Sequence, residues 1–233
     1  MNVLDIAVLA LFAVFLLAGA YRGFVHTILS LGAFAVCLGL ALLLCPVVEN
    51  AVKADKDLYS MALYYTEGGE LVKDVELSRA PVSSLSAEQL SGVMENAQLP
   101  NPMGPRISEN IAREAFAKQG LSSLGDYFNQ TIVNVFINIL GVLAVFLVLR
   151  LLAGFGIGVA EYARRGFPRL HGLDGALGAC FGLIQGFLVL YLVFLVTPIV
   201  LIVVPKAGNL IDASFFGSFF YNSNWILGLI SGV

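Results

Sequence analysis

Long apolar runs, separated by short connectors and one long polar segment, set the pattern along this chain. A helix needs about 20 residues to cross the roughly 30 Å hydrocarbon core of a bilayer. Runs of about that length predict membrane-spanning helices at about 3–20, 24–45, 131–152 and 173–196. The segment between the second and third runs is polar and predicts a small soluble insert.

These runs divide the chain into a hairpin, an insert, a second hairpin and a tail. We predict a first transmembrane hairpin at 1–48, a mostly helical insert at 49–130, a second hairpin at 131–205 with a basic connector at 153–172, and an aromatic tail at 206–233. The tail is either interfacial or re-entrant, because its apolar piece is too short to cross a bilayer.

Two capping patterns predict helices inside the insert. Ser86 and Gln89 form a capping box, which predicts a helix that continues to about Gln98. Ser108 predicts the start of a second helix, which a glycine at Gly120 should end.

Composition places the chain among membrane proteins. Hydrophobic residues make up 58% and charged residues only 12%, against about 25% charged residues in soluble domains. The chain is thus predicted to be an all-α integral membrane protein with four transmembrane helices. A formal net charge of −3 without a long basic cluster argues against a nucleic-acid partner.

Candidate chemistry is sparse. The three cysteines lie singly in apolar runs, without the paired spacing of a zinc or redox site. The sequence contains no phosphate-binding loop, no metalloprotease motif and no serine-nucleophile motif. We therefore expect no catalytic residue, no metal and no cofactor, and predict that the protein is not an enzyme.

Glycines line one face of the second and of the fourth predicted span. At about 100° per residue the glycines within each span fall on one side of its helix. Such a face lets two helix backbones approach closely in a bilayer. We predict a packing seam between these two spans, formed by Gly32, Gly39, Gly178, Gly182 and Gly186.

Three amide side chains lie within the apolar runs and need hydrogen-bond partners there. Asn134 and Asn138 share a face of the third span, and we expect them to face Gln185 and the glycines of the fourth. Two interpretations stay open. The amides hold helices together, or they line a path for a polar solute together with His26 and Asp174.

Two charged residues within the runs are expected near the membrane surface. Asp5 lies one turn into the first span, and Arg150 lies near the end of the third, where its long side chain can reach the head groups.

Basic residues in the short connectors predict the orientation of the chain. Short loops rich in Lys and Arg face the cytoplasm, whereas long segments are exempt from this rule. The basic residues concerned are Arg22 in the first connector and Arg164, Arg165 and Arg169, with His171 beside them, in the third. Both termini and the 49–130 insert should then lie outside, which makes the insert extracytoplasmic.

Two blocks of this sequence resemble one family of bacterial membrane proteins. They are LDIAVLALFAVFLLAGAYRGFVHTILSLGAF near the start and LDGALGACFGLIQGFLVLYL in the last span. The chain resembles the colicin V production (CvpA) family over roughly 1–48 and 130–200, and departs from it at Gln185, where many members have a basic residue. The matching residues are Arg22, Gly23, Phe24, Asp174, Gly178, Phe181 and Gly182.

This resemblance implies a multi-pass protein of the bacterial cytoplasmic membrane, needed for production or export of a peptide toxin and for envelope maintenance. It implies no catalytic site. The expected function is that of a non-enzymatic accessory or scaffold protein in contact with the lipid bilayer and with protein partners or further copies of itself. The alternative is an oligomeric transporter or channel for a small solute or an ion.

Overall fold

The structure is a computed structural model that describes residues 2–163, 166–167 and 172–233. Within that part of the chain the secondary structure is helical, and the only β-type pairing is an isolated bridge between Pro81 and Ser123. Four of the described helices are long and apolar enough to cross a membrane: Val3–Arg22, Phe24–Ala54, Leu124–Ala163 and Asp174–Val203. The predicted all-helical class and its four membrane-length helices are confirmed.

The helices of the first half of the chain are α1 Val3–Arg22, α2 Phe24–Ala54, α3 Lys56–Thr66, α4 Val75–Arg79, α5 Ala87–Ala97 and α6 Met103–Ala112. Those of the second half are α7 Leu124–Ala163, α8 Asp174–Val193, α9 Thr197–Val203, α10 Ala207–Asp212 and α11 Phe215–Asn222.

Two of the long helices extend beyond their predicted ends. α2 continues through Pro46, where the prediction ended the span, because a proline costs one backbone hydrogen bond but does not have to end a membrane helix. α7 begins at Leu124 rather than near 131. Ser123 and Asp126 each accept a hydrogen bond from the other's backbone N–H, and this pair starts the helix before the apolar run.

The last membrane-length helix is interrupted once. α8 passes through a short 3₁₀ turn, Phe194–Val196, into α9, which carries Pro198 in its first turn and ends before Pro205. Proline at the start of a helix lacks only an N–H that has no partner within the helix.

The chain forms two compact units. The first consists of Met1–Leu44, Val142–Leu195 and Lys206–Asn224. Its main helix pair is α1 with α8. The rings of Phe12, Phe187 and Tyr191 pack around the buried ring of Phe220 on α11. Part of the aromatic tail thus belongs to the core of this unit.

The second unit consists of Cys45–Gly141, Val196–Pro205 and Trp225–Val233. Insert residues pack against the first half of α7, and the large buried side chains there include Met103, Ile107, Phe116, Tyr127, Phe128 and Ile132. The Ser86–Gln89 capping box is confirmed at the start of α5. The helix predicted to begin after Ser108 instead begins at Met103, because Pro105 is tolerated in its first turn, and it ends at Ala112.

Candidate functional site

The contact between α1 and α8 brings two helix backbones together with no side chain between them. A Cβ atom at Gly178 would overlap the carbonyl oxygen of Gly19, and a Cβ at Gly182 would overlap the carbonyl oxygen of Phe15. A Cβ atom at Gly186 would lie 3.0–3.4 Å from atoms of the Phe15 side chain. Only glycine fits at this contact, which we call the glycine seam (Gly19, Gly178 and Gly182).

The predicted glycine contact between the second and the fourth span is therefore wrong. α8 packs its glycines against α1, whereas a Cβ atom added at Gly32 or Gly39 on α2 would meet no atom within 4 Å. A glycine face can pack against any helix that carries a small residue at the level of the contact along the helix axis. Gly19 provides that residue on α1, near the end of the first span.

Residues of the two sequence blocks, around the start of α2 and on α8, lie in contact with each other. The carboxylate of Asp174, in the first turn of α8, accepts a hydrogen bond from the backbone N–H of Phe24 at 3.1 Å. The rings of Phe24 and Phe181 pack edge to face with centroids 5.3 Å apart. Gly23 has φ +86° and lies against the Asp174 carboxylate, so both its backbone conformation and its surroundings exclude a side chain.

A small cavity of about 40 Å³ lies beside the glycine seam. Its polar lining comes from Arg22, His26, Thr27, Ser30 and Gln185. This volume is sufficient for one or more water molecules. Of the three amide side chains in the apolar runs, Gln185 lines this cavity, and Asn134 and Asn138 do not.

Ser30 is the centre of the hydrogen bonds around this cavity. The buried Ser30 hydroxyl oxygen accepts hydrogen bonds from Arg150 Nη2 at 2.6 Å and from Gln185 Nε2 at 3.1 Å. Arg150 thus reaches α2, and its expected position near the head groups stays a prediction. A hydroxyl within a low-dielectric helix bundle is a better partner for a guanidinium than hydrocarbon is.

His26 is the only histidine in the described part of the chain. Its Nε2 lies 3.7 Å from Glu161 Oε2 on α7, while its buried Nδ1 has no hydrogen-bond partner among the described residues. A water molecule in the cavity would satisfy Nδ1, because buried polar atoms normally have a partner. Arg164, Arg165, Arg169 and His171 lie outside the described residues.

Asn134 and Asn138 have hydrogen-bond partners within the second unit, and their predicted contact with Gln185 stays a prediction. Both donate to main-chain carbonyls near the end of the chain, Asn138 to Ser231 at 3.0 Å and Asn134 to Gly232 at 3.4 Å. Asn138 Oδ1 also lies 3.1 Å from Cys45 Sγ, which donates to it. These two amides therefore bind the segment that contains Ser231 and Gly232.

Two further donors from α6 bind the same segment, and the sequence patterns did not single them out. Asn110 donates to the carbonyl of Gly232 at 2.7 Å, and Arg106 donates to that of Gly228 at 2.7 Å. Together with Asn134 and Asn138 they form the amide clamp (Arg106, Asn110, Asn134 and Asn138), which we name after its three asparagine amides. Arg106 also bonds Glu109 at 2.7 Å, and this hydrogen bond, with the nearby charge of Arg113, holds the pKa of Glu109 below its usual value.

Asp5 is buried within the protein, and its expected position near the membrane surface stays a prediction. Its carboxylate accepts hydrogen bonds from the Ser214 hydroxyl at 2.7 Å and from the Phe216 backbone N–H at 3.0 Å. Asp5 thus holds the start of α11 as Asp174 holds the start of α2. In both places a carboxylate satisfies a backbone donor that the helix itself leaves unpaired.

No group of three or more His, Cys, Asp or Glu residues in the described ranges has a geometry that could hold a metal ion. Comparison of the chain with protein-family models, with curated proteins and with solved structures gave no match.

Proposed function

We propose that the protein is a non-enzymatic, multi-pass membrane protein of the colicin V production type, acting as an accessory or scaffold in toxin export and envelope maintenance. The observation that supports this most is the meeting of the two motif blocks, where Asp174 accepts a hydrogen bond from Phe24 and Phe181 packs on the same ring. Residues separated by most of the chain form one structural unit, as expected if the motifs serve a common fold.

A complementation experiment tests this proposal. The chain is expressed in bacteria that make colicin V but lack their own colicin V production protein, and toxin release is measured as a zone of growth inhibition. We expect the chain to restore release and Asp174→Ala to restore much less, because that variant loses the acceptor for the Phe24 N–H. Membrane levels of each variant are measured in parallel. Failure of a well-expressed wild-type chain to restore any release would contradict the proposal.

We further propose that the membrane is the bacterial cytoplasmic membrane, with both termini and the insert outside. The support is the basic character of the connectors in the sequence. A reporter active only in the cytoplasm, fused after Val233, should be inactive, and the same reporter in the basic connector should be active. The reverse pattern would overturn this orientation.

A second candidate function is transport of a small solute or an ion by an oligomer. The cavity favours it, because His26, Ser30 and Gln185 are among the residues that line a space of about 40 Å³ within helices of membrane length. Flux into liposomes that hold the purified protein is the direct measurement. Flux that Gln185→Leu abolishes would favour transport, and absence of flux under proton, ion and small-solute gradients would favour a scaffold.

A further inference from the structure

Helix α3, the first helix of the insert, has three distinct faces. At about 100° per residue, one side carries the buried or half-buried residues Tyr59, Ala62, Leu63 and Thr66. A second side carries the exposed polar residues Lys56, Asp57 and Ser60, together with Tyr64, which is 70% exposed. The third carries exposed apolar and aromatic residues, with Leu58 46%, Met61 53% and Tyr65 59% exposed. A helix at a simple boundary between protein and water needs only the first two faces.

The buried face of α3 packs against helices of membrane length. Ala62 forms a buried cluster with Val133 and Ile137 of α7. Tyr59 and Leu63 pack on the same cluster, and the Tyr59 hydroxyl donates to Gln130 at 2.9 Å. α3 also contacts α9, the last part of the membrane-length segment Asp174–Val203.

The chain enters α3 directly from a membrane-length helix. α2 ends at Ala54, and Asp55 alone separates it from α3, accepting hydrogen bonds from the N–H groups of Asp57 and Leu58 as an N-cap. The turn sends α3 back against Val52 and the α7 residues of the cluster. α3 therefore lies at the depth where the apolar part of α7 begins.

We propose that α3 is an interfacial helix, with Leu58, Met61 and Tyr65 in contact with the lipid of the adjacent leaflet and Ser60 facing water. α9, one of the helices that α3 contacts, also carries an exposed apolar side chain, Val203, which is 57% exposed. Tyrosine suits such a position, because its ring is apolar and its hydroxyl reaches the head groups. This inference rests on the proposed membrane location, and it moves the start of the predicted soluble insert into the interface.

Tryptophan fluorescence in nanodiscs of phosphatidylcholine and phosphatidylglycerol, with or without bromine on the acyl chains, tests the inference. The chain has a single tryptophan, so Trp225→Phe supplies a background in which one new tryptophan reports one position. Tyr65→Trp is the test variant and Ser60→Trp, on the polar face of the same helix, is its matched control. Leu43→Trp, at a side chain of α2 that is 76% exposed, reports on the membrane location itself.

We expect Tyr65→Trp to lose most of its emission in brominated nanodiscs and to keep it in aqueous iodide. Ser60→Trp should lose most of its emission in aqueous iodide and keep it in brominated nanodiscs. Met61→Trp, on the same face, repeats the test if Tyr65→Trp does not fold.

Two results would overturn the inference alone, provided that brominated lipid quenches Leu43→Trp. In one, iodide quenches the Tyr65 and Ser60 variants equally, which means that α3 lies in water. In the other, neither quencher reaches Tyr65→Trp, which means that a second copy or another protein covers this face. Lack of lipid quenching at Leu43→Trp would instead overturn the membrane location and, with it, the inference.

Discussion

The glycine seam and the amide clamp hold their parts of the molecule in opposite ways. At the glycine seam, α1 and α8 approach because side chains are missing, and the contact is made by backbone atoms. At the amide clamp, polar side chains of α6 and α7 donate hydrogen bonds to backbone carbonyls of Gly228, Ser231 and Gly232. The first arrangement depends on shape and the second on hydrogen bonds, although both serve helices in apolar surroundings.

This difference predicts which changes each region tolerates. Loss of a hydrogen-bonding side chain near the glycine seam should have little effect on stability. A single carbon atom added to one of its glycines should destabilise the contact. The amide clamp should accept changes of shape and be sensitive to the loss of a donor, most of all where the carbonyl it binds is buried, as that of Gly232 is.

The largest expected effect is that of adding a side chain to the glycine seam. Gly182→Leu should destabilise the protein by about 3 kcal/mol or more, because its Cβ would overlap the Phe15 carbonyl oxygen and the helices would have to separate. The measurement is thermal unfolding in nanodiscs, with size-exclusion chromatography to detect loss of the folded form.

Gly32→Leu is the matched control for this change. It places the same side chain on α2, where a Cβ meets nothing within 4 Å, and it should change stability by less than about 0.5 kcal/mol. If Gly182→Leu behaves like Gly32→Leu, the close approach of α1 and α8 is not a source of stability.

Removing a donor from the amide clamp should have the next largest effect. Asn138→Leu loses the hydrogen bond to Ser231 and the acceptor for Cys45, and should cost about 1–2 kcal/mol. Proteolysis near the end of the chain should accelerate at the same time, because this bond holds residue Ser231. Asn222→Leu, at an exposed amide on α11, is the control, and equal effects of the two substitutions would contradict a specific role for Asn138.

A smaller effect is expected where a carboxylate caps a helix. Asp174→Ala removes the acceptor for the Phe24 N–H and should cost about 1 kcal/mol, as the loss of a helix cap does. Asp174→Asn keeps an acceptor oxygen and should cost less. Unfolding free energies of the two variants, measured side by side, check this order, and an equal loss in both would mean that the charge matters rather than the hydrogen bond.

The sequence predicted the helices well and their partners poorly. Each of the four apolar runs is about as long as a helix that crosses a bilayer, so four such helices could be predicted. The glycine face of α8 was recognisable too, but a glycine face does not specify its partner, and Gly19 lies on α1 rather than on the predicted α2. Asn134 and Asn138 were identified as groups in need of partners.

The partners of those amides could not be read from the sequence for a physical reason. Asn138 and Asn110 bind main-chain carbonyls of Ser231 and Gly232, and every residue carries such a carbonyl. A backbone acceptor leaves no mark on side-chain identity or spacing. The hydrogen bond from Arg150 to Ser30 could not be read from the sequence for a related reason, since Ser30 is one of many hydroxyls that the chain offers.

The smallest expected effect concerns the charge at the edge of the amide clamp. Arg106 binds both the Gly228 carbonyl and Glu109, and this contact lowers the pKa of Glu109 in the folded protein. A carboxylate with a lowered folded pKa contributes stability above its unfolded pKa of about 4.3, and that stability is lost as pH falls through the folded pKa. Below about pH 4 the wild type should therefore lose stability relative to Glu109→Gln, whereas the two should respond alike to pH changes above about 6. Thermal unfolding of both proteins across this range is the measurement. A constant difference between them at every pH would mean that Glu109 does not support Arg106 through its charge, and the amide clamp would then depend on neutral hydrogen bonds alone.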